Sequence, residues 1–200
     1  MNSKINKFSP LGSEKIASYL DKNGSVLEIG SGKGETLRYL LDLGYSVTGI
    51  DKDASSGEKS ITDGYPVIAA CAEDLPFDDE TFDQVLFECV FSLCSPEKTI
   101  AEITRVLKPA GKVVLTDLYS SGSCETIETN SIVRNLFTAE KLSEYFGGYT
   151  LEYFEDSSDA LTDFAADLLL NGSPECCVDI KEIVKRKPKY GIWIYRKNRL

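Results

Sequence analysis

The sequence predicts an α/β fold built on a mostly parallel β-sheet, and three observations support this prediction. The stretch 26–41, VLEIGSGKGETLRYLL, reads as a short buried strand, a glycine turn and an amphipathic helix. Short apolar runs with the character of strands alternate with helical spacing along the rest of the chain. A carboxylate, Asp51, directly follows the second apolar run, about twenty residues after the turn, as in nucleotide-binding sheets.

Composition and charge fit one domain and exclude several classes of partner. The 200 residues are 42% hydrophobic and 27% charged, which is ordinary for a globular domain with a substantial core. The net charge of −10, with no basic stripe before the C-terminal region, argues against nucleic acid as a partner. No apolar run has the length of a membrane span, and the polar start MNSKINK is not a signal peptide. We therefore expect a cytoplasmic protein without membrane contact.

The side chains available for catalysis are limited because the chain contains no histidine. Histidine-containing zinc sites and histidine-based proton transfer are excluded, so Asp, Glu, Tyr, Lys or Cys would have to move any proton. The six cysteines form neither a disulfide-like framework nor a C-x-x-C pair, and we predict no metal site. They are Cys71, Cys89, Cys94, Cys124, Cys176 and Cys177.

The glycine turn has the spacing E-x-G-x-G-x-G rather than the G-x-G-x-x-G of dinucleotide sites. The carboxylate of Glu28 would repel a pyrophosphate but would attract an amine or a sulfonium. This pattern resembles motif I of the class I S-adenosylmethionine (SAM)-dependent methyltransferases, where the turn passes the amino-acid end of SAM. The resemblance implies that Glu28, Gly30, Ser31, Gly32 and Gly34 bind the cofactor. For this stretch alone, a glycine-rich turn without a ligand is the alternative interpretation.

The acidic end of the second strand, Ser46–Ile50, is where nucleotide-binding folds contact the ribose hydroxyls. A carboxylate can accept both hydroxyls in charge-assisted hydrogen bonds. We therefore predict that Asp51 binds the ribose and that Lys52, next to it, belongs to the cofactor site.

The segment after the third strand, Pro66–Ala70, reads CAEDLPF. It is similar to the x-D-A-E-x-L-P-F … F-D signature of the ubiquinone-biosynthesis-like branch of the same family, in which Asp83 would be structural. In that branch the segment borders the adenine, which implies cofactor contacts from Cys71, Ala72 and Glu73. Because Cys71 replaces the family's aspartate, we expect a weaker side-chain contact and a larger role for the Ala72 backbone N–H.

Polar residues after strands four and five are the candidates for the methyl-transfer site, because ligands bind at the carboxyl ends of parallel strands. We predict Glu88, Cys89, Asp117 and Tyr119 as catalytic residues, with Glu88 also touching the cofactor. Cys89 has a second interpretation as a small buried hydrophobic residue. A general base is needed only if the acceptor is protonated at neutral pH.

The predicted elements, together with the resemblance, give a Rossmann-like, doubly wound sheet of seven strands, mostly parallel with an antiparallel last strand. The turn after helix 99–107 matches the family's R-V-L-K-P-G-G turn, with Ala110 replacing the first glycine as a mild change. Residues 120–129 are predicted to be a polar loop that carries Cys124. The other predicted helices are 13–20, 35–41, 138–145 and 160–170, and the other strands are 82–87, 113–118, 150–155 and 190–196.

We expect one domain over residues 1–200, as a monomer or homodimer. It divides into an N-terminal helical segment (1–22), a cofactor-binding half (23–119) and a substrate-side half (120–200). In the family the N-terminal segment often closes over the cofactor, and packing against the sheet is the alternative.

Several functions remain open, and the favoured one is a SAM-dependent methyltransferase acting on a small molecule. The later segments also resemble arsenite methyltransferases, in which dispersed thiolates bind trivalent arsenic. Here Cys71, Cys124 and the pair Cys176-Cys177 would supply soft ligands for arsenite or another thiol or selenium acceptor. A non-catalytic SAM-binding protein is the alternative from another class. A dinucleotide oxidoreductase is disfavoured by Glu28 and by the glycine spacing.

Overall fold

A computed structural model describes residues 9–52, 67–129, 132–171 and 185–199, and it contains a seven-stranded sheet and a separate two-stranded hairpin. Residues 53–66, which include the start of the predicted third strand, and the pair Cys176-Cys177 lie outside the described residues. The helices are α1 (Ser13–Ala17), α2 (Glu35–Asp42), α3 (Pro96–Val106), α4 (Ala139–Tyr145) and α5 (Ser158–Asn171). The strands are β1 (Ser25–Ile29), β2 (Ser46–Asp51), β3 (Val67–Ala69), β4 (Phe82–Glu88), β5 (Leu107–Tyr119), β6 (Glu125–Thr129), β7 (Ile132–Leu136), β8 (Tyr149–Asp156) and β9 (Lys189–Lys197).

The large sheet has the strand order β3-β2-β1-β4-β5-β9-β8. Strands β1 to β5 pair in parallel, whereas β9 lies antiparallel between β5 and β8. The predicted fold class, including the antiparallel last strand, is confirmed. The chain winds outward from β1 in both directions, so β1 and β4 flank the topological switch point where ligands bind in such sheets.

Both faces of the sheet are covered by apolar side chains, as expected for parallel strands that are buried on both sides. In β1, Val26 belongs to one hydrophobic cluster and Leu27 and Ile29 to the other, because alternate residues point to opposite faces. Leu37 and Leu40 of α2 pack into the Val26 cluster. This packing fixes the strand, turn and helix that form the first unit of the fold.

The predicted loop 120–129 is wrong in its second half, because residues from Glu125 onward form the β6–β7 hairpin. Ile127 of β6 and Leu136 of β7 are 1% and 0% exposed and belong to the hydrophobic core. Strand β6 reads ETIET, with a single apolar residue among polar and charged ones. The sequence signal therefore resembled a loop, although tertiary packing stabilises a hairpin.

Strand β5 is longer than predicted, because it takes in the proline-glycine turn. Ala110 in that turn has a φ of +59°, a left-handed conformation that favours glycine. The replacement of glycine by alanine is therefore not a mild change for the backbone and costs about 1 kcal/mol. The pairing of β4 with β5 shifts register at the same place.

The N-terminal helix α1 is shorter than predicted and packs on α2. Ile16 and Ala17 are buried, and the Tyr45 hydroxyl donates a hydrogen bond to the Ala17 carbonyl at 3.1 Å. Within the described residues, no helix combines the length and apolar character that crossing a membrane requires.

Candidate functional site

A pocket with a volume of about 150 Å³ opens at the carboxyl ends of β1 and β2, beside the switch point. It brings together six of the predicted cofactor residues, whereas Glu28, Ser31, Gly32, Gly34 and Glu88 do not line it. Its lining residues are Ile29, Gly30, Ile50, Asp51, Lys52, Ala70, Cys71, Ala72, Glu73, Val90, Leu93 and Cys94. The position agrees with the general rule for open α/β sheets.

The glycine turn requires glycine for two different reasons. Gly30 has a φ of +73°, and a Cβ atom there would lie 2.5 Å from Cγ2 of Val90. Gly32 has a φ of +55°, but a Cβ atom there would meet nothing within 4 Å. The first glycine thus permits close packing, whereas the second presents its backbone to open space. Gly34, also at positive φ, is the N-cap residue of α2.

Hydrogen bonds connect the glycine turn to the end of β2. The backbone N–H groups of Gly30 and Ser31 both donate to the Ile50 carbonyl at 2.9 Å. The Asp51 carboxylate accepts a hydrogen bond from the Gly32 N–H at 2.9 Å. A carboxylate can accept several hydrogen bonds, and Asp51 lies at the edge of the pocket.

Cys71 and Glu73 interact with each other on the opposite wall of the pocket. The Cys71 thiol donates to one Glu73 oxygen at 2.5 Å, and the Ser95 backbone N–H donates to the other at 2.8 Å. Burial alone would raise the pKa of Glu73, but these hydrogen bonds and the Lys52 charge bring it below its ordinary value. The same contact raises the pKa of Cys71. Glu73 is thus an ionised group that links this wall to the start of α3.

Two glutamates lie at the strand ends next to the turn. Glu28 is fully buried and Glu88 is 3% exposed. The Glu88 carboxylate accepts hydrogen bonds from the hydroxyls of Thr36, at 2.8 Å, and of Ser9. The hydroxyl groups of Ser13 and Thr36 also form a hydrogen bond with each other, at 3.0 Å. The segment before α1 therefore contacts Glu88, while α1 packs on α2. Closure of the N-terminal segment over the cofactor stays a prediction.

Asp117 lies in a buried polar network at the ends of β4 and β5. Its carboxylate accepts hydrogen bonds from the Ser92 N–H at 2.8 Å and the Ser92 hydroxyl at 3.0 Å. Arg134 donates to Ser92 Oγ at 3.1 Å and to the Cys89 carbonyl at 2.7 Å. Burial raises the pKa of Asp117, and the Arg134 guanidinium opposes that rise.

The other two predicted catalytic residues pack against aromatic side chains. The Cys89 thiol lies 3.9 Å from the Tyr190 hydroxyl, and burial raises its pKa well above the ordinary value, so it stays protonated. Tyr119 makes edge-on contacts with Phe154 and Trp193, and burial, with Asp156, raises its pKa to about 12. None of the four predicted catalytic residues lines the pocket.

Sequence analysis missed Arg134, Thr36 and Ser9. Arg134 is the one charged residue in the apolar run IVRNLF, which was the available signal for a buried functional cation. Thr36 and Ser9 carry no comparable signal, because short hydroxyl residues are common in turns and first helical turns. Across the described ranges, no group of three or more Cys, Asp or Glu side chains is arranged to hold a metal ion.

Comparisons with known proteins identify similar sequences and similar folds. Residues 27–115 match the methyltransferase domain family. An uncharacterised methyltransferase of Bacillus subtilis is 40% identical over 95 residues, which are 44% of this chain and 41% of that protein. The chain spans less than half the length of the first curated relatives that it matches.

Solved structures with the same fold extend over nearly the whole chain. One is the 1,6-didemethyltoxoflavin-N1-methyltransferase of Burkholderia thailandensis, solved with S-adenosylhomocysteine, with a TM-score of 0.68 and 18% identity. The match covers 93% of this chain and 76% of that one. Another is the [4+2]-cyclase SpnF, with a TM-score of 0.72 and 21% identity over 94% of this chain and 80% of that one. The match over residues 27–115, which is less than half of the chain, together with the shared fold, supports a class I SAM-dependent methyltransferase, a family whose cofactor is S-adenosylmethionine.

Proposed function

We propose that this chain transfers a methyl group from SAM to a small-molecule acceptor and releases S-adenosylhomocysteine. The pocket at the switch point carries this proposal, because it gathers Gly30, Asp51 and the segment 71–73 at one place. These residues come from three separate segments of the sequence. Their convergence on one cavity is the feature that a ligand-free glycine turn would not require.

The residues of the pocket fit the chemistry of SAM. Ile50, Val90 and Leu93 provide apolar walls for a flat purine, and the Asp51 carboxylate stands at the edge for the ribose hydroxyls. The open space at Gly32 leaves room for a ligand against the backbone. Glu28 is buried at the end of β1 just before the turn, so its carboxyl group lies next to the part of the turn that the resemblance assigns to the amino-acid end of SAM.

The chain contributes mainly orientation. When bound, SAM supplies a methyl group that its sulfonium has already activated for attack by a nucleophile. Glu88 is engaged by Thr36 and Ser9, and Asp117 is engaged by Ser92. With these partners, neither carboxylate is presented to the pocket as a free base. We therefore favour an acceptor that arrives as a ready nucleophile, with proximity supplying most of the acceleration.

Arsenite is the less favoured acceptor. Trivalent arsenic would need several thiolates, but the thiols of Cys89 and Cys94 are buried and burial raises the pKa of both. Among the described residues this leaves Cys71 and Cys124 exposed. The alternative therefore depends on the pair Cys176-Cys177, outside the described residues.

The test is release of S-adenosylhomocysteine from SAM by the reduced protein, with a panel of arsenite plus thiol, sulfide, selenide, a small thiol, a phenol and an amine. Turnover with any small acceptor, lost in Asp51→Ala, supports the proposal. Turnover with arsenite alone that also disappears in Cys124→Ala would select the thiolate alternative. Binding of SAM without turnover on any acceptor would favour a non-catalytic protein, since a fold that also occurs in a cyclase does not fix the reaction.

A further inference from the structure

Arg134 of β7 brings a buried guanidinium to the carboxyl ends of β4 and β5. Arg134 is only 4% exposed, and its Nη1 atom donates hydrogen bonds to the Cys89 carbonyl and to Ser92 Oγ. A buried charge persists only where its partners compensate for the lost hydration. The guanidinium therefore ties the β6–β7 hairpin to the segment that follows β4.

Cys89 is held in a backbone conformation that a side chain disfavours. Its φ is +57°, in the left-handed region. Its N–H donates to the Thr116 carbonyl of β5 at 2.7 Å, and its own carbonyl accepts from Arg134 at 2.7 Å. The peptide groups on both sides of Cys89 are thus fixed from outside. Backbone outliers of this kind persist only when the surroundings impose them, and they cluster at functional sites.

Asp117 and Ser92 keep the guanidinium in place. The Ser92 hydroxyl contacts both Arg134 and Asp117, and the negative charge of Asp117 compensates the positive charge of the arginine. A lysine at position 134 would keep the charge but not the planar guanidinium, whose Nη1 atom donates to both acceptors in fixed directions. Charge and geometry at position 134 can therefore be separated by substitution.

Val90 immediately follows Cys89, lines the pocket and packs so closely on the glycine turn that a Cβ atom at Gly30 would lie 2.5 Å from its Cγ2 atom. Arg134 holds the carbonyl of the peptide group between Cys89 and Val90, and so sets the direction in which the chain enters Val90. We propose that Arg134 is a positioning residue for the cofactor site. By holding Cys89 in the left-handed conformation, it fixes the Val90 side chain against the glycine turn and in the wall of the pocket. This inference rests on the proposed function, because it concerns the site for SAM.

The test is a double-mutant cycle read by calorimetric binding of S-adenosylhomocysteine, well below the unfolding temperature of every variant. Arg134→Met is expected to weaken binding by about tenfold, and Arg134→Lys by nearly as much, because each loses the hold on the Cys89 carbonyl. Asn135→Ala is the matched control on the same strand, since its side chain contacts only the Ser92 carbonyl at 3.3 Å among the described residues, and it should change binding by less than about twofold.

Glycine at position 89 adopts the left-handed conformation without help. In a Cys89→Gly background, Arg134→Met is therefore expected to change binding by less than about twofold. A purely structural arginine would instead lower the unfolding temperature alike in both backgrounds and leave the affinity unchanged, which would overturn the inference. An equal loss of affinity in both backgrounds would also overturn it. If the wild-type protein does not bind S-adenosylhomocysteine at all, the proposed function fails, and this inference with it.

Discussion

The two sides of the switch point differ in what lies at the carboxyl ends of their strands. On the β1–β2 side, the strand ends border an open pocket, with Asp51 at its edge. On the β4–β5 side, the hairpin covers the strand ends, and Ser92, Asp117 and Arg134 form a buried network there. Under the proposed function, this difference means a preformed pocket for SAM on one side and a side for the acceptor that polar groups close.

The largest effect on stability is expected from disrupting the buried network at the carboxyl ends of β4 and β5. Asp117→Ala should lower the free energy of unfolding by about 3–5 kcal/mol, because it removes the carboxylate that balances a buried guanidinium. Urea denaturation followed by circular dichroism measures this loss. Asp117→Asn, which can still accept from Ser92, is the matched control and should lose less. A loss below about 1 kcal/mol for the alanine variant would mean that the network does not hold this side together.

The open side can be probed by adding single methyl groups to the glycine turn. Gly30→Ala should cost about 2–4 kcal/mol of folding free energy, because its Cβ would collide with Val90 at an unfavourable φ. Gly32→Ala, where a Cβ meets nothing, should cost only about 1 kcal/mol. Thermal unfolding separates the two variants. Equal losses at both positions would contradict the described asymmetry of the turn.

A substitution far from the carboxyl ends of the strands provides a reference for this comparison. Ala110→Gly, near the amino-terminal start of β5, should raise the free energy of unfolding by up to about 1 kcal/mol, because it relieves a left-handed φ. Ala101→Gly in the exposed part of α3 is the matched control and should lower it by about 1 kcal/mol. If both variants lose stability, the left-handed conformation at residue 110 is not a source of strain.

The smallest effect concerns the pH dependence of stability and the carboxylate of Asp83, near the start of β4. Burial alone would raise the pKa of Asp83, but Lys108 and Ser25 bring it below its ordinary value of 3.8. A carboxyl group with a lowered pKa in the folded state stabilises the protein above the unfolded-state value, and this stabilisation disappears as the pH falls through the folded-state pKa. Wild-type stability should therefore fall more steeply than that of Asp83→Asn between about pH 5 and about pH 3. Parallel curves for the two proteins would remove this role of Asp83.

The cofactor half was predictable because its signals are local. The glycines, the acidic end of β2 and the buried strands each follow from neighbouring residues, and the structure gathers Gly30, Asp51 and segment 71–73 around one pocket. Their roles in binding SAM stay predictions. The register that places Ile50 beside the glycine turn follows from the parallel pairing of β1 with β2.

The closed side was not predictable, because its contacts join residues far apart in sequence. Arg134 is 45 residues from the Cys89 carbonyl that it contacts, and Ser9 is 79 residues from Glu88. The left-handed φ of Cys89 also has no sequence signal, since cysteine rarely adopts it. Sequence reasoning therefore placed Glu88, Cys89 and Asp117 at the correct strand ends. It missed three of the groups that surround them, Arg134, Thr36 and Ser9.

The central claim, that the open pocket is the SAM site, is tested most directly by the affinity of the protein for S-adenosylhomocysteine. We predict that Asp51→Ala weakens binding by about 1–3 kcal/mol, because a carboxylate that accepts the ribose hydroxyls is lost. Asp42→Ala, the same change at the exposed end of α2 and away from the pocket, should bind like the wild type. Unchanged affinity in Asp51→Ala, measured by calorimetry, would contradict the placement of the cofactor in this pocket.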